Sequence, residues 1–183
     1  MGLDMYLSKR TYVKNWKHTK PEHKHEIIVK KAGKPTHVKP ERIAEISEDV
    51  AYWRKANQIH NWFVKNVQNG VDNCGHYHVS REQLKELVET CEKVLAASKL
   101  VKGKVKNGET LKDGEWIPVM EDGKLIKDSS VAQELLPTGS GFFFGSTEYN
   151  EYYVQDLKET IEQVNAILAE GEDSGDFYYH SSW

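Results

Sequence analysis

No apolar run in this chain approaches the ~18 residues that a membrane-spanning helix needs, so the sequence offers no candidate span. Cysteine is scarce. Cys74 and Cys91 are the only two, which excludes a disulfide framework and makes a reducing cytoplasm the expected compartment. The start, Met1-Gly2-Leu3-Asp4-Met5-Tyr6-Leu7, has no basic leader before an oily stretch, so no secretory signal is expected there. The Gly-x-x-x-x-Gly-Lys-[Ser/Thr] loop of nucleoside triphosphatases is absent. Gly139-x-Gly141-x-x-x-Gly145 departs from the dinucleotide fingerprint and precedes an expected strand, where that fingerprint follows one. Phe144-Gly145-Ser146-Thr147-Glu148 lacks the second glycine of a nucleophile elbow, which argues against a hydrolase built on Ser146. Cys74, His76 and His78 would share one side of an extended segment, with Asp72 close by. Their spacing is not that of a zinc module, so no metal is expected. No cofactor motif and no paired carboxylates in an apolar setting stand out.

What is present fits one globular domain spanning 1–183. A length of 183 residues suffices for one good core and is short for two, and a hydrophobic fraction of 38% with a charged fraction of 29% is ordinary for such a domain. The net charge of -3 hides an asymmetry. Residues 9–42 carry eleven Lys or Arg against Glu22, Glu26 and Glu41, a balance of +8. Residues 148–183 carry nine Asp or Glu against Lys158, a balance of -8. Opposite ends can attract each other within the fold or between protomers, and the basic end can attract a phosphate. A binder of long nucleic acid more often shows a basic excess overall, so that partner is not expected.

Hydrophobic periodicity predicts an α+β fold: a mixed or antiparallel sheet packed by about three long helices, with a β-hairpin excursion at 101–127. Leu3, Met5 and Leu7 alternate with Asp4 and Tyr6 as a half-buried strand that Thr11 to Val13 could continue. Lys- and His-rich residues 14–25 read as a loop, and Glu26 to Lys30 as a partner strand. Gly33-Lys34-Pro35 turns the chain; the segment with Ile43 and Ile46 reads equally as a short helix or an extended arm. A helix from about Arg54 to Gln68 stops at Asn69-Gly70. Ser80 and Gln83 form a capping box opening a helix whose stripe is Leu84, Leu87, Val88, Cys91, Val94 and Leu95. Asn107-Gly108, Asp113-Gly114 and Glu121 to Lys124 each predict a tight turn between short strands. Val131 to Leu136 suits a short helix stopped by Pro137, and Phe142 to Phe144 a strand buried on both faces. Asn150 or Thr147 caps a last helix with the stripe Tyr153, Leu157, Ile161, Val164 and Leu168. After an acidic linker, Phe177 to Trp183 forms an aromatic strand, expected at a sheet edge or a protomer interface.

The stretch Tyr52 to Val64 concentrates the chemistry. Ala56, Ile59, Phe63 and Val67 fall on one helical face and read as core. Trp53, Arg54, Asn57, Asn61 and Trp62 then lie at its edge or outside it. Two readings stand. The rings close the core and the polar groups face water; or the stretch is a ligand wall, with rings for a flat base, Arg54 and Lys55 for a phosphate, and amides for base edges. His60, near the core face, suits a satisfied core histidine better than a catalytic base. Gly145-Ser146-Thr147 offers a second helix start beside aromatic rings, where phosphates bind well.

The residues Gly2 to Leu7, Tyr52 to Asn57 with Ile59-His60 and Trp62-Phe63-Val64, Phe142 to Ser146, and the closing Tyr-Tyr-x-Ser-Ser-Trp together resemble a widespread family of small bacteriophage and prophage proteins. The resemblance spans most of the chain, apart from the lysine-rich 14–40 and 101–127. It extends to the phage anti-defence sponges that capture cyclic dinucleotides made by cyclic-oligonucleotide antiphage signalling (anti-CBASS). That likeness implies sequestration without cleavage in the cytoplasm of an infected bacterium, by a homo-oligomer with no resident cofactor. It implies ligand contacts at Trp53, Arg54, Lys55, Asn57, Trp62, Ser146 and Thr147, with Tyr12 and Lys14 as outlying candidates. The runner-up is a host-takeover factor whose aromatics bind a protein; a metal- or histidine-dependent phosphodiesterase comes third.

Overall fold

The computed structural model describes every residue except Met1, Asp113, Phe142 and 172–174, with Asn107 described by its backbone alone. It is an α+β fold. The first strand, β1 (Asp4–Tyr12), turns Met5 and Leu7 inward, with Leu3 just before it, and leaves Asp4 and Tyr6 half-buried on the other face, as the alternation requires. An arm follows with a small ribbon, β2 (Lys30–Lys31) and β3 (Lys34–Pro35). The chain returns through β4 (Glu45–Arg54), helix α1 (Asn57–Asn66), the short β5 (Tyr77–Val79) and α2 (Arg81–Ala97). A hairpin, β6 (Leu100–Lys112) and β7 (Glu115–Ile126), leads to α3 (Ser130–Leu135), α4 (Glu151–Leu168) and β8 (Asp176–Ser182). No helix among the described residues is long and apolar enough to cross a membrane.

Four strands form the main sheet in the order β4-β1-β8-β5, with every neighbouring pair antiparallel. The helices cover one face. Leu3, Met5, Leu7, Trp53, Phe177 and Tyr179 meet Ile59, Phe63, Leu84, Leu87, Leu157 and Val164 in one core. Tyr179 stacks on Phe63 with centroids 3.9 Å apart. On the opposite face Tyr6 stacks on His180 with centroids 4.8 Å apart, and Tyr52 and His76 tilt against the two ends of that pair at 5.2 and 4.3 Å. Both long helices start as their sequences predict. Ser80 and Gln83 bond reciprocally at the head of α2, and the Asn150 side chain accepts from the amides of Tyr152 and Tyr153 at the head of α4.

Several expectations need correction. The central helix begins at Asn57, three residues late, because Trp53 and Arg54 finish β4 opposite Met5 and Asp4. Lys55, at φ 60°, breaks the chain between strand and helix. The partners of β1 are β4 and β8 rather than Glu26 to Lys30, where only Lys30 enters a strand and Ile28 is exposed. The aromatic C-terminal strand lies inside the sheet between β1 and β5, not at its edge. Phe143 and Phe144 are not in a strand: Phe143 is exposed at φ 62° and Phe144 is buried, while Phe142 lies outside the described residues. The excursion is one long hairpin. Its strands shift register between Lys106 and Glu109, and Glu121 to Lys124 run within β7. The turn at Asp113-Gly114 falls partly outside the described residues, and Gly114 takes φ 87°.

Candidate functional site

The junction between β4 and α1 organises a cleft. Lys55 adopts the left-handed conformation that a residue with a Cβ rarely takes, and its amide donates to the Leu3 carbonyl at 2.8 Å. Gly145, at φ 95°, packs against that turn so tightly that a Cβ there would lie 2.9 Å from the Lys55 carbonyl oxygen. Strained backbone persists where its surroundings over-determine it, and it gathers at functional sites. Here the turn and the Phe143–Gly145 loop meet at one wall of a cavity of about 820 Å³. Arg54, Lys55, Gln58, Lys106, Ser146 and Thr147 contribute to its lining, with Tyr152 and Asp156 from α4.

Asn57 holds the loop in place. Its Nδ2 donates to the carbonyls of Phe144 (3.1 Å) and Ser146 (2.9 Å), and its Oδ1 accepts from the Gly139 amide (3.0 Å). Asn61 donates to the Pro137 carbonyl one turn further on. The loop's backbone groups are thus satisfied by side chains of α1 instead of by a neighbouring strand.

Of the residues expected to touch a ligand, four converge on this cleft: Arg54, Lys55, Ser146 and Thr147. The rest do not. Trp53 is 3% exposed, and its indole N–H donates to the Thr160 hydroxyl inside the core, so neither ring face is open to a base. Trp62 is 6% exposed and borders a separate groove of about 680 Å³ with Asn61, Asn66 and Asn69. Asn57 is buried and spent on the loop. Tyr12 and Lys14 lie at the far end of β1, where Lys14 Nζ sits 4.4 Å above the Trp16 ring. A sandwich of a base between tryptophans is therefore excluded here. The exposed ring lining the cleft is Tyr152, whose hydroxyl lies 3.2 Å from Glu121 Oε1.

The cleft's charges are mixed. The Arg54 side chain is 56% exposed and lies 3.7 Å from Asp4, which also accepts from the Tyr52 hydroxyl. Lys106 pairs with Glu109 at 2.5 Å. Lys55 has no ion-pair partner among the described residues, which makes it the most available cation. The Asn150 cap already takes the first amides of α4, so an anion would rely on side-chain cations more than on the helix end. Asp156 closes the floor. Burial pushes its carboxyl up to about 6, opposed by the hydrogen bond from Gln58 Nε2 at 2.8 Å and reinforced by Glu159. Ser146 Oγ accepts from the Glu148 amide, and no histidine lines the cleft among the described residues.

His60 is a satisfied core group. Its Nδ1 lies 2.7 Å from the Tyr179 hydroxyl, its Nε2 lies 3.0 Å from Asp72 Oδ2, and its ring meets Phe144 edge-on. Asp72 also accepts from the Trp183 indole at 3.1 Å, which docks the C-terminus over Phe144. Cys74 sits in a left-handed turn at φ 55°, outside β5, so it does not share a strand face with His78. Among the described residues no three or more His, Cys, Asp or Glu are grouped to hold a metal ion. Gln58, Tyr152 and Asp156 were not anticipated, and Asn150 was expected only as a helix cap. The Gln58–Asp156 contact spans 98 positions, and nothing local in either segment announces it. No family model matches the chain, and no curated protein or solved structure matches it either.

Two outcomes follow from this geometry. Asn57→Ala strands two carbonyls and one amide of the loop and should cost about 2–3 kcal/mol of stability in chemical denaturation; a loss below about 0.5 kcal/mol contradicts the clamp. For Asp156, the folded value of about 6 lies above the unfolded value of about 3.9. Its contribution to stability is complete below the unfolded value and is lost as pH rises through the folded one. Solvent in the cleft screens the half-buried carboxylate, so the loss is about 1 kcal/mol. Asp156→Asn should remove that decline between pH ~4 and ~7; superimposable pH–stability curves for wild type and variant would refute the assignment.

Proposed function

We propose that the chain binds a small phosphate-bearing ligand in the cleft between Arg54-Lys55 and Gly145–Thr147, and holds it without cleaving it. A cyclic dinucleotide immune signal, captured by a phage-type protein in the cytoplasm of an infected bacterium, is the ligand the sequence resemblance favours. One observation carries the reading. A left-handed lysine and a left-handed glycine, packed on each other, set two adjacent cations beside Ser146 and Thr147 in one open cavity. Arg54 is suited to a planar, two-pronged hold on a phosphate, and Lys55 to a point contact. Tyr152 can stack on a base. The opposite charges of residues 9–42 and 148–183 support association of copies, the usual form of such sponges.

Binding of a host protein is the second reading, and the hairpin favours it. Leu111, Trp116, Ile117, Val119 and Met120 are exposed on β6 and β7, with Trp116 67% exposed. Exposed apolar side chains gathered on one hairpin suit a protein interface.

A panel of cyclic dinucleotides assayed by thermal shift separates the readings. Sequestration predicts a raised melting temperature for at least one ligand and its intact release on heating. Arg54→Ala should weaken that binding by about 10- to 150-fold, the equivalent of ~1.5–3 kcal/mol for a hydrogen bond to a charged group. Unchanged affinity removes Arg54 from the site, and a degraded ligand points to a phosphodiesterase. A flat panel, with a co-purifying host protein that Trp116→Ser releases, supports the second reading.

A further inference from the structure

Between β1 and β4 only Val13, at the root of the arm, is buried. No residue from Lys14 to Ala44 is buried. Ordering so long a segment costs conformational entropy that its own packing does not offset. Yet it is braced. Asn15 bonds both the amide and the carbonyl of His25, Trp16 and Thr19 close a turn, and prolines open single helical turns at Pro21–His23 and Pro40–Arg42. The β2–β3 ribbon completes it.

Its charge is one-sided. Residues 14–42 hold nine Lys or Arg against three Glu, and among the described residues none of the nine reaches a carboxylate at ion-pairing distance. The cations of the neighbouring strand differ in this respect: Lys9 pairs with Glu48 and Glu170, and Arg10 with Glu45. Two rings stand among the free cations. Trp16 is 49% exposed beneath Lys14, and Tyr12 is exposed at the arm's root. Unneutralised lysines on flexible stems suit a chain of phosphates, and a flat exposed indole suits an unpaired base. An acidic protein would use the lysines and leave the ring without a flat partner. A duplex keeps its bases stacked and hidden from Trp16.

We infer that this arm binds single-stranded nucleic acid, with the lysines on its phosphates and a base stacked on Trp16. This runs against the sequence-based expectation that no long nucleic acid is a partner. That expectation rested on the net charge of the whole chain, whereas the arm alone carries an excess of cations that no carboxylate among the described residues pairs with. The site is also distinct from the cleft. Asp4 and Arg54 lie at one end of the β1–β4 pair and Tyr12 and Glu45 at the other, about 25 Å apart by strand rise.

The test is fluorescence anisotropy of a dye-labelled oligothymidylate of about 16 nucleotides with the full chain. Binding should fall about 100-fold between about 50 and 200 mM salt, as a slope of about -0.7 per phosphate gives for about five contacts. Trp16→Ala should weaken it at least about fivefold, and Lys30→Gln/Lys31→Gln/Lys34→Gln should flatten the salt slope. Lys85→Gln on α2 and Arg54→Ala should change neither, so failure of the cleft reading leaves this one standing. All four sites are exposed, and an unchanged melting temperature for each variant verifies folding. The inference is overturned by no binding at about 100 mM salt, by equal affinity of Trp16→Ala, by tighter binding of the duplex, or by poly-glutamate competing as well as the oligonucleotide.

Discussion

The Asn57 carboxamide is the contact on which the cleft depends. A loop such as 137–147, rich in glycine and with its described residues outside both sheets and helices, has backbone groups that need partners. Asn57 supplies three of them from one buried side chain, and Asn61 a fourth. Because α1 begins directly after the Lys55 turn, the same residue fixes the loop relative to the two cations. Gly145 then has no room for a side chain, and Ser146 and Thr147 face the cavity. The cleft is therefore rigid on the side where charge is presented, a condition for holding a ligand without a large ordering cost.

The sheet imposes the other constraint. Placing β8 beside β1 buries the last strand as deeply as the first, and the Trp183–Asp72–His60–Tyr179 chain of contacts ties the terminus to α1. Phe144 sits under that terminus, so the loop is held by Asn57 from one side and by aromatic packing from the other. The arm and the β6–β7 hairpin stand outside this scheme. Both are long and mostly exposed, and neither lines the cleft except where Lys106, Gly108 and Glu109 reach its rim.

Much of this was legible in the sequence. The stripes of α2 and α4, the Ser80 and Asn150 caps and the alternation of β1 are local signals, and each appears where it was expected. The β4 strand was hidden because an edge strand can be polar, and Glu45-Ile46-Ser47-Glu48-Asp49 gives no clean alternation. Its end was misplaced because the break at Lys55 carries neither glycine nor proline, so Trp53 and Arg54 read as the first turn of the helix. The triple phenylalanine resembles a buried strand in composition, but the Phe144 carbonyl is claimed by Asn57, 87 positions away, and Phe143 is exposed in a left-handed turn. Arg54, Lys55, Ser146 and Thr147 were recognisable by residue type and by junction. Asp156 was not, because its perturbation comes from tertiary burial.

The most direct measurement is mass spectrometry of the small molecules released when the protein, purified from cells that make cyclic dinucleotides, is denatured. The account predicts an intact phosphate-bearing nucleotide in near-stoichiometric amount, lost when Arg54 and Lys55 are both replaced by glutamate. Release of the same molecules, in the same amounts, from the wild type and from that double variant would contradict it.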